Sequence, residues 1–442
     1  MTDPTNRRIN KRDIVVLLAL LVIGAVGSMY LFAASEGEPG IGLYASVHFM
    51  GEPAFMVSLD EDLDFTLAEA LGLEPYGLPQ VYFEVRDGAL AFVKSDCPDL
   101  LCVAMGPQSQ LGGFAACLPN RLLFHIEEVD YTLHSTVFFD VFDTLIFIRL
   151  FSPTQSEFER YVDAIYAELL RLHMLFDIFG EYAGLNNIAT INRMAGLEPV
   201  TVDETLVELI EFGIDAYHQS SGTINITLGP VLWLWHDFLN GVEDSPPDIK
   251  ALEAASHLSN ISDVIIDGNQ VFLTREGMSL DVGALAKGFA LERVYKVAAR
   301  LGVTSGIISM GGDMVIIGAP LDGREAWTIG IENPAGGELF GVKHVTDTSV
   351  ATSGNYQRFV MYGQNRYHHI IDPATLMPVR QFSSLTVIHT SPKVAEFLST
   401  AVFILPHDEG FELVNELGAE ALWILPDGSY FRTDGFVFAE DE

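Results

Sequence analysis

The chain has 442 residues, of which 49% are apolar and 19% are charged. This composition can fill the cores of two or three domains and excludes a disordered chain. Asp and Glu number 60 against 24 Lys and Arg, a net charge of −36, which excludes a nucleic-acid binder because phosphate contacts need clustered basic side chains.

The first predicted element is a membrane-spanning helix at residues 14–34. A basic tail, residues 1–13, carries four Lys and Arg against two Asp, and the next 21 residues are uncharged. At about 1.5 Å per residue this run is about 31 Å long, the thickness of a bilayer core. The basic flank before it and the acidic flank after it predict a single-pass protein of the cell membrane, with a cytoplasmic N-terminus and extracytoplasmic main domains. A cleaved signal peptide is the alternative, although its apolar stretch is normally about 7–15 residues.

The next segment, residues 42–130, is predicted to form a small β-rich domain. Its apolar run at residues 81–94 is interrupted by Asp87-Gly88, the pattern of a β-hairpin. A composition boundary follows at residues 130–137, so we expect a second domain at residues 137–440.

All three cysteines, Cys97, Cys102 and Cys117, lie in the first domain. In an oxidising compartment two of them could form a disulfide and leave one over, or all could remain thiols. A zinc site would need a fourth ligand, for which His125 is a weak candidate.

The first domain resembles NusG domain II modules of exported proteins, through Val85-Arg-Asp-Gly, Ser95-Asp-Cys-Pro and Cys117-Leu-Pro-Asn-Arg121. The resemblance implies a small barrel or sandwich without a settled chemistry. A spacer or docking role is the simplest expectation, and a redox function of the thiols is the alternative.

The second domain opens with a strand and an amphipathic helix. Apolar residues recur every three or four positions from Tyr161 to Phe176, and Ser152 or Thr154 is suited to cap the start. A second helix is expected at residues 202–220.

Three later motifs indicate a functional site. Residues 280–288 (LDVGALAKG) predict a strand, a turn of small residues and then a helix at 289–301, whose first N–H groups suit phosphate oxygens. Residues 306–318 predict two strands joined by Gly311-Gly312. Hydroxyl, guanidinium, imidazole and carboxylate groups then crowd residues 351–373.

The second domain resembles the ApbE-like family of FAD:protein FMN transferases. The runs that carry the resemblance, in the order of the family, are INRMAG, SSGTINITLGPV, LDVGALAKG, MGGDM, AWTIGIENP, ATSGNYQRF, HHIIDP and AEFLSTA. The resemblance implies an α+β fold, an ApbE-like domain of mixed sheets and helices after the β-rich domain and the transmembrane helix. It also implies Mg²⁺-dependent transfer of FMN from FAD to a Ser or Thr hydroxyl of a target protein, with release of AMP. Its expected acceptors are membrane electron-transfer subunits of the Rnf and Nqr type.

The resemblance also implies the site residues. The metal would be held by the carbonyl of Ala284, the carboxylate of Glu396 and the hydroxyl of Thr400. Glu396 and Thr400 lie four positions apart in a predicted helix at 393–405 and therefore project from one face. His369 is the expected base, with an ordinary pKa near neutrality, and His368 is the expected bystander.

The remaining residues that this resemblance assigns to FAD are Phe142, Thr223, Ile224, Asn225, Asp281, Lys287 and His369. Asp313 and Arg358 are equally compatible with a structural role. Glu396 and Asn225 stand where the family usually has aspartate, which affects the expected metal geometry and the charge near FAD. Two alternatives remain: an FAD diphosphatase that releases FMN and AMP, and a non-catalytic, membrane-tethered FAD-binding redox scaffold.

Overall fold

The computed structural model describes residues 40–59, 62–71 and 77–439. The membrane-spanning helix predicted at residues 14–34 lies outside these ranges. Within them, no helix is both long and apolar enough to cross a bilayer.

The described chain alternates strands and helices. The strands are β1 Gly40–Phe49, β2 Glu52–Ser58, β3 Leu63–Thr66, β4 Val81–Arg86, β5 Ala89–Ser95, β6 Phe114–Cys117, β7 Leu122–Phe138, β8 Ile146–Ser152, β9 Val200–Thr201, β10 Val264–Asp267, β11 Gln270–Leu273, β12 Gly306–Met310, β13 Asp313–Ile317, β14 Trp327–Ile331, β15 Gly341–Val345, β16 Thr348–Gly354, β17 Phe359–Tyr362, β18 Asn365–His368, β19 Ser384–His389, β20 Glu420–Ile424 and β21 Tyr430–Arg432. The helices are α1 Leu67–Leu71, α2 Leu101–Ala104, α3 Gln155–Phe176, α4 Ile188–Arg193, α5 Glu204–Gln219, α6 Gly229–Leu239, α7 Ile249–Ser256, α8 Ala286–Arg300, α9 Pro392–Ile404 and α10 His407–Glu416.

One long antiparallel sheet runs through both predicted domains. Its order is β2-β1-β7-β8-β12-β13-β16-β19-β20-β21, with β6 also paired to β7. The 17-residue strand β7 joins the two parts, because its first half pairs with β1 and its second half pairs with β8. The composition boundary predicted at 130–137 therefore lies inside a continuous strand.

The first part of the chain is rich in strands, as its pattern predicts. Strands β3, β4 and β5 form a separate sheet, and Asp87 and Gly88 both have positive φ in the turn between β4 and β5. The predicted hairpin is therefore confirmed. Phenylalanines of this sheet, among them Phe83 and Phe92 with ring centroids 5.1 Å apart, fill a core separate from that of the second part.

Helices α3, α8 and α9 pack on the second part of the long sheet and build the main core. The first predicted helix is confirmed as α3, and the Thr154 side chain accepts a hydrogen bond from the Glu157 N–H at its start. The helix predicted at 202–220 is confirmed as α5, and the one predicted at 393–405 as α9.

Three glycines shape the region where the sequence motifs meet. Gly311 and Gly312 both have positive φ, 62° and 100°, in the turn between β12 and β13, a conformation that favours glycine. A Cβ on Gly288 would lie 2.5 Å from the Pro392 carbonyl oxygen and 2.7 Å from Cβ of Glu396. A glycine at 288 therefore lets the start of α8 approach α9. Helix α8 begins at Ala286, three residues before the predicted start.

Candidate functional site

The segment that leads into α8 is held by two hydrogen-bonded contacts. The Asn192 side chain donates to the Leu280 carbonyl at 2.9 Å and accepts from the Leu280 N–H at 2.6 Å. The Asp281 N–H donates to the Ile226 carbonyl at 2.8 Å. Three sequence motifs therefore meet at this segment: INRMAG, SSGTINITLGPV and LDVGALAKG.

The Asp281 carboxylate lies beside an aromatic cluster. Its Oδ1 accepts from the Gly283 N–H at 2.9 Å, and its Oδ2 lies 3.9 Å from Nε2 of His236. The His236 ring contacts two other aromatic rings. Its centroid is 5.9 Å from that of Trp233 and 6.0 Å from that of Phe179. None of these aromatic residues was predicted to belong to the site. Trp233 and His236 lie in α6, an apolar helix of the kind that is typical of a core.

Lys287 joins two buried carboxylates at the start of α8. Its ammonium group donates to Oδ2 of Asp313 and, at 2.6 Å, to Oε1 of Glu396. The second Glu396 oxygen accepts from the Gly288 N–H at 2.6 Å, and Oδ1 of Asp313 accepts from the Thr352 N–H at 2.9 Å. The cluster thus connects four elements: β13, β16, α8 and α9.

The charges in this cluster do not balance. Glu396 is 2% exposed and Asp313 is 3% exposed, so two buried carboxylates share one ammonium group, that of the partly exposed Lys287 side chain. Burial opposes the charged form of Lys287, but the charges of Asp313 and then Glu396 outweigh that effect and raise its pKa. Burial also raises the pKa of Glu396, and the nearby Asp313 charge adds to this rise against the opposing effect of Lys287. A cation near Glu396 would relieve the excess negative charge.

The other two expected metal ligands lie beside this cluster. Oγ1 of Thr400 is 3.4 Å from Oγ of Ser353, one turn of α9 after Glu396. The carbonyl of Ala284 accepts no hydrogen bond from any described residue, because the Gly288 N–H four residues later donates to Glu396 instead. Both oxygens are therefore available to a ligand.

His369, the expected base, directly follows β18. Nδ1 of His369 is 3.4 Å from the Arg358 carbonyl oxygen. The His369 residue is exposed. Partial removal of water by the nearby protein atoms lowers its pKa, and the positive charges of Arg358 and, to a smaller extent, Lys287 lower it further. His369 therefore stays neutral near pH 7, the form that accepts a proton.

His368 has a structural environment. Its side chain is 2% exposed, with Nε2 donating to the Val379 carbonyl at 2.6 Å and Nδ1 accepting from the Ile370 N–H at 3.3 Å. Burial lowers its pKa. This neutral, fully paired imidazole fits the bystander predicted from the sequence.

Hydrogen bonds to neighbouring residues hold the segment at residues 223–225. The Ile224 N–H donates to Oγ of Ser220 at 2.9 Å. The Asn225 amide donates to the Ser259 carbonyl at 2.9 Å, while its oxygen accepts from the Thr227 hydroxyl at 2.7 Å. The Asn225 side chain thus supports the loop, and Thr223 beside it is half-buried.

Phe142 lies at the edge of the main core with a positive φ of 58°. Its N–H donates to Nδ1 of His173 at 3.2 Å, and its ring is 6.3 Å from that of Phe176. Phe176 in turn contacts Phe289 of α8 at 5.8 Å. Phe142 is therefore linked by ring contacts to the helix that carries Lys287.

Arg358, like Asp313, was equally compatible with a structural role in the sequence. Its guanidinium group donates to the Asp143 carbonyl at 3.2 Å.

Comparisons with known proteins match both parts of the chain. Residues 142–423 match the ApbE family, and residues 14–130 match NusG domain II. The chain is 30% identical over 316 residues to the FAD:protein FMN transferase of Treponema pallidum, covering 67% of this chain and 86% of that protein. It is 32% identical over 230 residues to one from Klebsiella pneumoniae, covering 51% and 70%. The crystal structure of the ApbE protein from Thermotoga maritima superposes with a TM-score of 0.64 and 28% identity, covering 69% of this chain and 98% of the other.

Proposed function

The chain belongs to the ApbE family, and from this premise we infer that it transfers FMN from FAD to an acceptor protein. The observation that carries this conclusion is the meeting of the family's motifs at the start of α8. There Lys287 joins Asp313 to Glu396, and the positive charge of Lys287 contributes to the lowered pKa of His369.

We propose that the acceptor atom is the hydroxyl oxygen of a Ser or Thr side chain. This oxygen attacks the phosphorus on the FMN side of the FAD diphosphate and forms a phosphoester bond. The bond from that phosphorus to the bridging oxygen breaks, and AMP leaves with the bridging oxygen. The hydroxyl proton must pass to a base.

His369 is suited to take this proton. The Arg358 carbonyl can only accept a hydrogen bond, so its contact with Nδ1 places the ring proton on Nδ1. Nε2 is then the atom that accepts a proton from the acceptor hydroxyl. The lowered pKa of His369 keeps the ring neutral before the reaction.

The residues around Glu396 fit a Mg²⁺ ion. Two buried carboxylates share one ammonium group, and the Ala284 carbonyl has no donor among the described residues. We propose that Ala284, Glu396 and Thr400 hold Mg²⁺, which prefers oxygen ligands. A carboxylate offers about four lone-pair sites, so the contacts of Glu396 with Lys287 and Gly288 leave positions for a metal. When bound, the ion would stabilise negative charge on the diphosphate.

The chain's own groups prepare the site for FAD. We propose that Lys287, at the start of α8, lies near the FAD phosphates. The predicted use of the first N–H groups of this helix is not supported, because those of Ala286, Gly288 and Phe289 already donate to protein oxygens. The Asn192 contact with Leu280 fixes the segment that carries Asp281. We propose FAD contacts from Phe142, Thr223, Ile224 and Asp281, with the Asn225 side chain supporting that loop.

We propose that the reaction takes place on the extracytoplasmic side of the cell membrane. The uncharged run at 14–34 between a basic tail and an acidic exterior supports a membrane anchor with extracytoplasmic main domains. A membrane electron-transfer subunit is the acceptor that such an anchor would bring within reach. A protease added to intact cells should then digest the main domains; complete protection would contradict this orientation.

The activity is tested by incubating the purified full chain with FAD, Mg²⁺ and a Thr-containing acceptor domain. A mass increase of the acceptor equal to one FMN phosphoester supports transfer. FMN and AMP with an unmodified acceptor would indicate an FAD diphosphatase instead. Bound FAD without either product would indicate the non-catalytic scaffold.

A further inference from the structure

Three cysteines of the first part of the chain meet in one buried cluster. Cys97 follows β5, Cys102 lies in α2 and Cys117 ends β6, and all three are free thiols. Their exposed fractions are 5%, 1% and 1%. Separate stretches of the chain thus direct three sulfur atoms to one place that flavin transfer does not use.

The sulfur atoms are spaced as metal ligands are. Sγ of Cys97 and Sγ of Cys102 are 3.9 Å apart, and all three sulfurs lie within 4.8 Å of one another. A thiolate lies about 2.3 Å from a bound metal ion, so sulfurs that share an ion are about 3.8–4.0 Å apart. The Cys97–Cys102 separation already has this value, whereas a disulfide requires about 2.05 Å.

The Ser95 side chain connects two of the cysteines. Its Oγ lies 3.7 Å from Sγ of Cys117 and accepts a hydrogen bond from the Cys97 N–H at 3.2 Å. Leu100 adopts a left-handed conformation with a φ of 48°, which turns the chain immediately before α2. These contacts fix the backbone that carries the three sulfur atoms.

His125 does not complete the cluster. Its Nε2 lies 3.4 Å from Oε2 of Glu127, and its ring is 5.5 Å from that of His48. In the described ranges, the group of potential metal ligands at this place consists of the three cysteines. The zinc site with His125 considered from the sequence is therefore not the arrangement seen.

We propose that Cys97, Cys102 and Cys117 bind one soft metal ion through three thiolates, and that Cu⁺ is preferred over Zn²⁺. Thiolates select soft ions, and a structural Zn²⁺ site almost always has four ligands. Binding replaces three S–H bonds by three metal–sulfur bonds and releases three protons to solvent, with no transfer of electrons.

The test uses the purified full chain, stripped of metal and reduced without oxygen. It is titrated with Cu⁺ and, separately, with Zn²⁺, each against a coloured competing chelator. We expect one Cu⁺ per chain, bound in preference to Zn²⁺, and protection of the three thiols from alkylation. Preference for Zn²⁺ would overturn the choice of ion. Absence of binding by the reduced chain would overturn the site.

Variants assign the ligands. Cys97→Ser, Cys102→Ser and Cys117→Ser should each lower the affinity by more than the about 10–100-fold that loss of an outer-shell group costs. His125→Ala is the matched control and should bind the ion as the wild type does. If the cysteine variants do not fold, wild-type chain alkylated at all three thiols provides the comparison, and undiminished Cu⁺ binding by it would overturn the assignment.

Discussion

Nζ of Lys287 lies 2.6 Å from Oε1 of Glu396, although 109 positions separate the two residues in the chain. Lys287 stands at the start of α8 and Glu396 in α9, and Asp313 contacts the same ammonium group from β13. The ion pair therefore connects the predicted phosphate-binding residue to the predicted metal ligand.

Replacement of Lys287 should lower the free energy of unfolding. Lys287→Gln leaves the buried carboxylates of Asp313 and Glu396 without their cation, and removal of one partner of a buried pair costs about 3–5 kcal/mol. Urea unfolding of the apo chain measures this loss. Lys296→Gln is the control, because Lys296 forms an exposed pair with Glu292 at 3.1 Å and should lose less than about 0.5 kcal/mol. An equal, small loss in both variants would contradict the role of the buried cluster.

Glu396→Gln should weaken the binding of Mg²⁺. The variant keeps the size of the side chain but removes the charge that we assign to the ion. We expect FMN transfer to fall by about 10²-fold, in the range of a lost transition-state electrostatic contact, and half-saturation to require more Mg²⁺. The measurement is the initial rate of transfer against Mg²⁺ concentration. Glu416→Gln, at an exposed position of α10, is the control, and an unchanged Mg²⁺ curve for Glu396→Gln would contradict the assignment.

His369→Gln should slow transfer by about 10²–10⁴-fold, the usual contribution of a general base, while FAD binding is retained. His368→Gln should instead lower the free energy of unfolding by about 1–3 kcal/mol, because it disturbs a buried, fully paired group. Transfer rates and FAD titrations of the two variants separate these effects. A larger rate loss in folded His368→Gln than in His369→Gln would reverse the roles.

The pH dependence follows from the lowered pKa values of both histidines. The folded chain binds their protons less readily than the unfolded chain, whose histidines titrate near an ordinary pKa of about 6.5. Their contribution to stability is therefore present above that pH and is lost as the pH falls below it. The transfer rate should likewise be flat near neutrality and decline only in more acidic solution. A rate that already declines from pH 8 to pH 7 would contradict a neutral His369.

Asn192→Ala should release the segment before Asp281. Both hydrogen bonds to Leu280 disappear, which leaves backbone groups without partners and costs about 1–3 kcal/mol. FAD affinity should fall with stability. Asn186→Ala removes one exposed hydrogen bond to Thr201 and serves as the control in the same unfolding and FAD-binding measurements. Equal behaviour of the two variants would contradict the proposed role of Asn192.

Patterns within one element were predictable from the sequence. The helical period, the Thr154 cap and the Gly311-Gly312 turn depend on neighbouring residues, and the structure confirms them. The predicted position of Glu396 and Thr400 one turn apart follows from the confirmed helix α9.

Contacts between distant elements were not predictable in the same way. The sequence left the role of Asp313 open, because its contact with Lys287 depends on how α8 lies on the sheet. No pattern in the sequence indicated that the Asn225 side chain would donate to the Ser259 carbonyl. The composition change near residue 130 likewise gave no sign that β7 continues through it.

The most direct test of the account is the ratio of AMP released to FMN covalently bound to the acceptor, measured in one reaction of the full chain with FAD and Mg²⁺. Transfer to a hydroxyl predicts one AMP for each FMN bound, and loss of both products when the acceptor's Thr is replaced by Ala. Release of AMP with free FMN and an unmodified acceptor would contradict the central claim.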